Sequence, residues 1–331
     1  MALVMDLDER IRALTRVDAL ADGTKRQVLP YYAVLDLARS LGRARPRSKG
    51  QPRSRALASV ELAALELGIV PERYLRNIDA YSLAEQARLL GARAAMVGLG
   101  GLGGHVLEIL ARTGVGHICA ADGDEFQPSN LNRQLLCTRR SINGYKAAAA
   151  AARVGILNPA VDFEPVAAFL DESLMGRFLV GADLAVDALG GLRDRPALLR
   201  QAARTGIPLV TAAVAGQAGF VATVLPGATG PADIFGTADS AAAETSLGHP
   251  GPGGCHCGGA HERRGPEHPL RARATAGRGH AGLRPGGHEL RAGGVVAPAS
   301  PGTCAGWRGS RPGSPQRRRP RRGRTACPGP S

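Results

Sequence analysis

With 331 residues, 44% of them hydrophobic, the chain is long enough to bury one large core or two modest ones. Its formal charge of +14 invites a nucleic-acid partner, yet residues 249–331 hold fifteen Arg, no Lys and three Glu, leaving 27 basic against 25 acidic side chains in the first 248 residues. The body is nearly neutral, which excludes nucleic acid as its default ligand and leaves that role to the tail. In chain order, Leu7, Ile11 and Leu14, then Val34, Leu35, Leu37, Ala38 and Leu41, recur at helical spacing and predict two helices within residues 1–42, with a turn at Asp22-Gly23. Residues 43–55 are basic and poor in apolar side chains, the pattern of a solvated linker. Leu57, Val60, Leu62, Leu65 and Leu67 predict a further helix stopped by Gly68.

The most informative stretch follows. Ala94-Ala95-Met96-Val97 reads as a buried strand that enters Gly98-Leu99-Gly100-Gly101-Leu102-Gly103-Gly104 and then a helical pattern from His105 to Ala111. Glycines are wanted there because side chains would hold a phosphate away from the backbone N–H groups, and a helix starting at the turn offers its positive end to the anion. A second strand, Ile118 to Ala121, ends in Asp122, placed to accept hydrogen bonds from a ribose. The loop after it, Asp122-Gly123-Asp124-Glu125-Phe126-Gln127-Pro128-Ser129-Asn130-Leu131-Asn132-Arg133-Gln134, combines carboxylates, amides and a guanidinium, and Lys146 opens the next helix. A dinucleotide oxidoreductase has no need of that cluster. An enzyme that splits a triphosphate does, because the leaving pyrophosphate wants fixed positive charge and a carboxylate can help to hold magnesium.

Helices are expected from Lys146 to Leu157, where Asn158-Pro159 stops the pattern, over Leu170 to Leu179 and over Leu192 to Arg204. Strands are expected at Val161 to Val166, Asp183 to Asp187 and Ile207 to Ala213, with Phe220 to Leu225 as an antiparallel addition. The alternation predicts a doubly wound, mostly parallel α/β sheet with ligands at the C-terminal ends of its strands, preceded by a helical N-terminal extension.

The string D-x-D-x-x-x-x-S-N-L-x-R-Q from Asp122 to Gln134, with Lys146 thirteen residues beyond Arg133, resembles the ThiF/MoeB/HesA family, the ubiquitin-activating-enzyme-like adenylyltransferases. The likeness runs from about Arg73 to about Gly227. It implies binding of ATP with Mg²⁺ and adenylylation of the C-terminal carboxylate of a ubiquitin-fold sulfur-carrier protein by a homodimer. It also implies roles for residues: Gly98, Gly100, Gly101 and Gly103 against the nucleotide, Asp122 on the ribose, Asp124, Ser129 and Gln134 lining the site, and Asn130, Arg133 and Lys146 on the phosphates. Arg76, in Arg73-Tyr74-Leu75-Arg76-Asn77, matches an arginine that in the family reaches the partner subunit's ATP.

The chain departs from the family at D-x-x-D-N-x-x-x-R, which here reads Asp187-Ala188-Leu189-Gly190-Gly191-Leu192-Arg193-Asp194-Arg195. Asp187 and Arg195 fit, Gly190 and Gly191 replace the Asp-Asn pair, and magnesium falls to Asp187, Asp194 or Asp124. The double C-x-x-C zinc motif is missing, and Cys255-x-Cys257 has the wrong spacing for one. Cys119 and Cys137 have no sequence-near partner, and Cys137 reads as a small buried residue rather than a nucleophile. Asp6, Asp8 and Glu9 interrupt any apolar leader, while glycines, His105 and Glu108 break the apolar run of residues 94–111, so neither secretion nor membrane insertion is expected and the cytoplasm is the default.

From His249 onward nineteen Gly and twelve Pro accompany the arginines and no apolar period survives, so the segment is expected to be disordered. Its abrupt onset after Ser246-Leu247-Gly248 reads as a shifted reading frame in a GC-rich gene, the alternative being a natural basic tail. The expected organisation is an N-terminal extension over 1–70, an ATP-binding domain over 71–248 and the tail over 249–331. Two other functions compete: a nucleotide- or partner-binding member of the same fold without turnover, favoured by Gly190-Gly191, and an NAD-dependent oxidoreductase, resting on the glycine turn alone.

Overall fold

The computed structural model describes residues 6–19, 23–44, 53–216 and 218–235. The expected tail over 249–331, Cys255 and Cys257, and the middle of the expected linker lie outside them. The ends of that linker are helical, since α2 (Tyr31–Ala44) runs into it and α3 (Arg53–Glu66) begins within it.

The N-terminal extension opens with α1 (Leu7–Leu14), started by a reciprocal cap in which Asp6 accepts the Asp8 N–H at 2.7 Å and Glu9 accepts the Asp6 N–H at 3.2 Å. Ile11, Leu29, Val34, Leu37, Leu57, Val60, Ala64 and Ile69 then form one buried core between α1, α2 and α3. The helices expected here are present, but the extension is not helical throughout. β1 (Arg16–Ala19) and β2 (Lys25–Leu29) pair antiparallel, and β2 pairs in parallel with the two-residue β3 (Val70–Pro71). Sequence periodicity misses this small sheet because β1 is mostly exposed and carries Arg16 and Asp18 where apolar alternation would be the signal. Charge ties it down instead: Arg16 donates to Asp18 at 2.8 Å and to Glu72 at 2.7 Å.

The main sheet is built from β4 (Arg93–Val97), β5 (His117–Ala121), β6 (Asp162–Val166), β7 (Leu184–Asp187), β8 (Leu209–Ala215) and β9 (Ala218–Val224), in the order β6-β5-β4-β7-β8-β9. The first five are parallel and β9 is antiparallel to β8, as expected. The connecting helices are α4 (Leu83–Gly91), α5 (Gly101–Thr113), α6 (Lys146–Leu157), α7 (Glu172–Phe178), α8 (Arg195–Thr205) and α9 (Pro231–Phe235). One face of the sheet is closed by Leu99, Leu107, Ala147, Ala150 and Val154, the other by Met175, Leu179, Leu198 and Ala202. After β4 the chain lays β5 and β6 on one side and β7, β8 and β9 on the other, so the crevice where the winding reverses opens at the C-terminal end of β4.

Candidate functional site

The glycine turn sits at that crevice. Gly98 has φ +100°, and a Cβ on it would lie 2.4 Å from the Ala188 carbonyl oxygen, so only glycine lets the turn pass the end of β7. A Cβ on Gly103 would lie 2.0 Å from the Gly98 carbonyl oxygen, so α5 can start directly on top of β4. Gly100 is the N-cap of α5 and offers no side-chain cap, which leaves donors of the first turn, including those of Gly101, for a ligand.

Asp122 closes the turn from the β5 side. Its Oδ2 accepts the Leu99 N–H at 2.7 Å and its Oδ1 accepts the Asp124 N–H at 2.9 Å. Beside it lies Lys146, the first residue of α6, a buried side chain whose ammonium is 2.8 Å from Asp124 Oδ2 and 3.9 Å from Asp122 Oδ2. A lysine charge is costly to bury unless paired, and these two carboxylates hold it at the head of the strands. Gln134 is buried, with its Nε2 3.7 Å from where a Gly100 Cβ would be and its Oε1 without a hydrogen-bond partner. An orphaned buried acceptor beside uncapped N–H groups is the mark of a polar ligand's seat.

The rest of the loop is braced. Asn130 Oδ1 accepts the Gln127 N–H at 2.9 Å, and Arg133 Nη1 donates to the Ser129 carbonyl at 3.0 Å and to Asn132 Oδ1 at 2.9 Å. The Arg133 fork keeps further donors for an anion. Cys137 is buried and burial pushes its thiol up, the opposite of what a nucleophile needs.

Asp187 occupies a different setting from the one a metal ligand requires. It is buried at the end of β7, where Oδ2 receives Arg195 at 2.8 Å and Thr211 at 2.7 Å and Oδ1 receives the Leu189 N–H at 3.1 Å. Burial pushes its carboxyl up, against the pull of Arg195. Arg195 also donates to the carbonyls of Leu189 and Gly191, so the pair fixes the β7–α8 turn rather than opening toward a cation. Asp124, 2.8 Å from the Lys146 ammonium, and Asp194, four residues beyond Gly190, are exposed carboxylates, and their hard oxygens are the donors a magnesium ion would accept. Arg76 is exposed, and the neighbouring Asn77 donates to the Thr113 carbonyl at 3.2 Å, at the C-terminal end of α5. That end is about 20 Å from the glycine turn at 1.5 Å per helical residue, so Arg76 stands apart from its own chain's cleft.

Residues 74–252 match the ThiF family. This chain belongs to it. Among relatives, it is 38% identical over 157 residues to the SAMP-activating enzyme E1 of Haloferax volcanii, covering 47% of this chain and 58% of that protein. It is 35% identical over 146 residues to the sulfur carrier protein ThiS adenylyltransferase of Bacillus subtilis, covering 44% of each. It is also 34% identical over 140 residues to the tRNA threonylcarbamoyladenosine dehydratase of Escherichia coli, covering 39% of this chain and 52% of that protein. The solved structure of the last protein in complex with ATP aligns at 31% identity and a TM-score of 0.43, covering 44% of this chain and 61% of that one. The ThiF family chain thus spans about half the length of these relatives. Among its described residues no helix is long and apolar enough to cross a membrane.

Proposed function

We propose that this ThiF family chain binds ATP and adenylylates the C-terminal carboxylate of a ubiquitin-fold sulfur-carrier protein. The observation that carries the reading is the buried Lys146 ammonium, 3.9 Å from the carboxylate that closes the glycine turn. A nucleotide laid along the turn with its ribose at Asp122 brings its phosphates to the α5 N-terminus, within the reach of that charge. The names of the Haloferax and Bacillus relatives, an E1 and a carrier-protein adenylyltransferase, support the same chemistry.

In the proposed reaction a carrier carboxylate oxygen attacks the α-phosphorus in line, the bond to the bridging α–β oxygen breaks, and the products are an acyl adenylate and pyrophosphate. Charge accumulates on pyrophosphate, where Lys146 and Arg133 offset it, so catalysis is positioning plus electrostatics. Arg76 joins only from a second copy, which makes a homodimer part of the proposal. Magnesium, when bound with the nucleotide, would be held by Asp124 or Asp194 and would supply further charge on the phosphates; Asp187 acts as a positioning residue for the β7–α8 turn. The reaction is placed in the cytoplasm, and nucleic acid has no part in it outside the basic tail.

Gly190 favours a second reading, a nucleotide- or partner-binding member without turnover, because it presents no side chain where the family carries a carboxylate. Carrier-dependent exchange of labelled pyrophosphate into ATP separates the two. Exchange supports the enzyme, whereas ATP binding without exchange supports the second reading.

A further inference from the structure

Phe169 lies in the loop that follows β6 and leaves 73% of its surface in solvent. A lone exposed phenylalanine is ordinary; its placement is not. A Cβ on Gly123 would come within 2.6 Å of Phe169 Cδ2, 2.7 Å of Cγ and 2.7 Å of the Phe169 backbone nitrogen. The ring therefore rests directly on Gly123, the residue after Asp122. Its backbone is held on both sides. The Asp122 N–H donates to the Val166 carbonyl at 3.0 Å, tying the end of β5 to the end of β6. Leu170 packs into the core behind the sheet, and the Asp171 carboxylate accepts the Leu174 N–H at 2.8 Å to start α7. A rigid aromatic ring is thus mounted beside the ribose-binding carboxylate, with most of its surface bare.

In a doubly wound sheet the phosphates lie at the glycine turn and the ribose at the acidic residue ending the next strand, so the base projects beyond that residue. We propose that Phe169 is the stacking platform for the nucleobase of the bound nucleoside triphosphate. This rests on the proposed nucleotide reading of the cleft and adds to it the residue that recognises the base. Stacking uses the π face that every base has, so Phe169 would set affinity for a purine nucleotide rather than choose adenine over guanine.

Calorimetric titration of ATP, GTP and inorganic tripolyphosphate into the full chain and into its F169A, F169W and G123A variants tests this. The expected result is a loss of about tenfold in ATP and GTP affinity for F169A, little change for F169W, and no change in tripolyphosphate binding by either variant. G123A, whose new methyl displaces the ring, should copy the selective loss. Unchanged ATP affinity in F169A, or equal losses for ATP and tripolyphosphate, overturns the platform while leaving the nucleotide reading intact. A wild-type chain that binds none of the three overturns that reading, and the platform with it.

Discussion

At Gly190 a Cβ would meet nothing within 4 Å, and the residue is absent from the positive-φ glycines. An aspartate there has room and needs no left-handed backbone, so G190D should fold and, by placing a carboxylate in the turn after β7, raise carrier-dependent pyrophosphate exchange by about tenfold or more. An unchanged rate would show that the position is irrelevant to turnover. Lys146→Ala should lower exchange by about a hundredfold with little change in the thermal midpoint of the free protein. Asp187→Ala should behave in the opposite way. It strands a buried Arg195 guanidinium and should cost about 3 kcal/mol or more of stability, measured by denaturant unfolding. Were activity lost with stability intact, Asp187 would act at the ligand after all. The meeting of Lys146 with Asp122 was legible in the sequence, because one motif spans the end of the second strand and the start of the next helix. The enclosure of Asp187 was not, since Thr211 reaches it only once β8 lies beside β7. Phe169 was equally invisible, because its contact with Gly123 spans two separate strand ends.

Among the elements, the joint between the N-terminal extension and the α/β sheet is polar and buried. Tyr74 donates to Glu61 at 3.0 Å, Asn158 donates to the Tyr74 hydroxyl at 3.1 Å and to the Ala111 carbonyl at 3.0 Å, and Arg73 donates to the Leu157 carbonyl at 2.8 Å. The network therefore links α3 to the C-terminal ends of α5 and α6. Glu61 is 2% exposed, and burial pushes its carboxyl above the ordinary value of 4.5. Between that value and the raised one the folded state binds more protons than the unfolded state, so this group's contribution to stability falls as pH rises through the window. Unfolding free energies measured across that range should show the decline, and E61Q should flatten it; a decline that survives E61Q would place its source elsewhere. Strands β4, β5 and β7 could be read directly because buried parallel strands are continuous apolar runs. The β1–β2 pair could not, since β1 is mostly exposed, only the end of β2 is buried, and its anchor, Glu72, lies 56 residues from Arg16.

For the whole molecule, the position of Arg76 sets the assembly that the proposed reaction needs. An arginine at the far end of α5 serves a nucleotide only if a second copy brings it there, and two-fold symmetry would then build two such sites. R76A and K146A should each be poorly active alone, and their equimolar mixture should recover up to about a quarter of wild-type activity, because mixed dimers hold one site with both residues intact. Failure to recover activity in a mixture shown to exchange subunits would return Arg76 to the surface. The most direct measurement remains the exchange of labelled pyrophosphate into ATP by the full chain, with a ubiquitin-fold carrier present or withheld. Label should appear in ATP only with a carrier whose C-terminal glycine is intact, and should be lost in K146A. Bound ATP with no exchange across a panel of such carriers would contradict the proposed reaction.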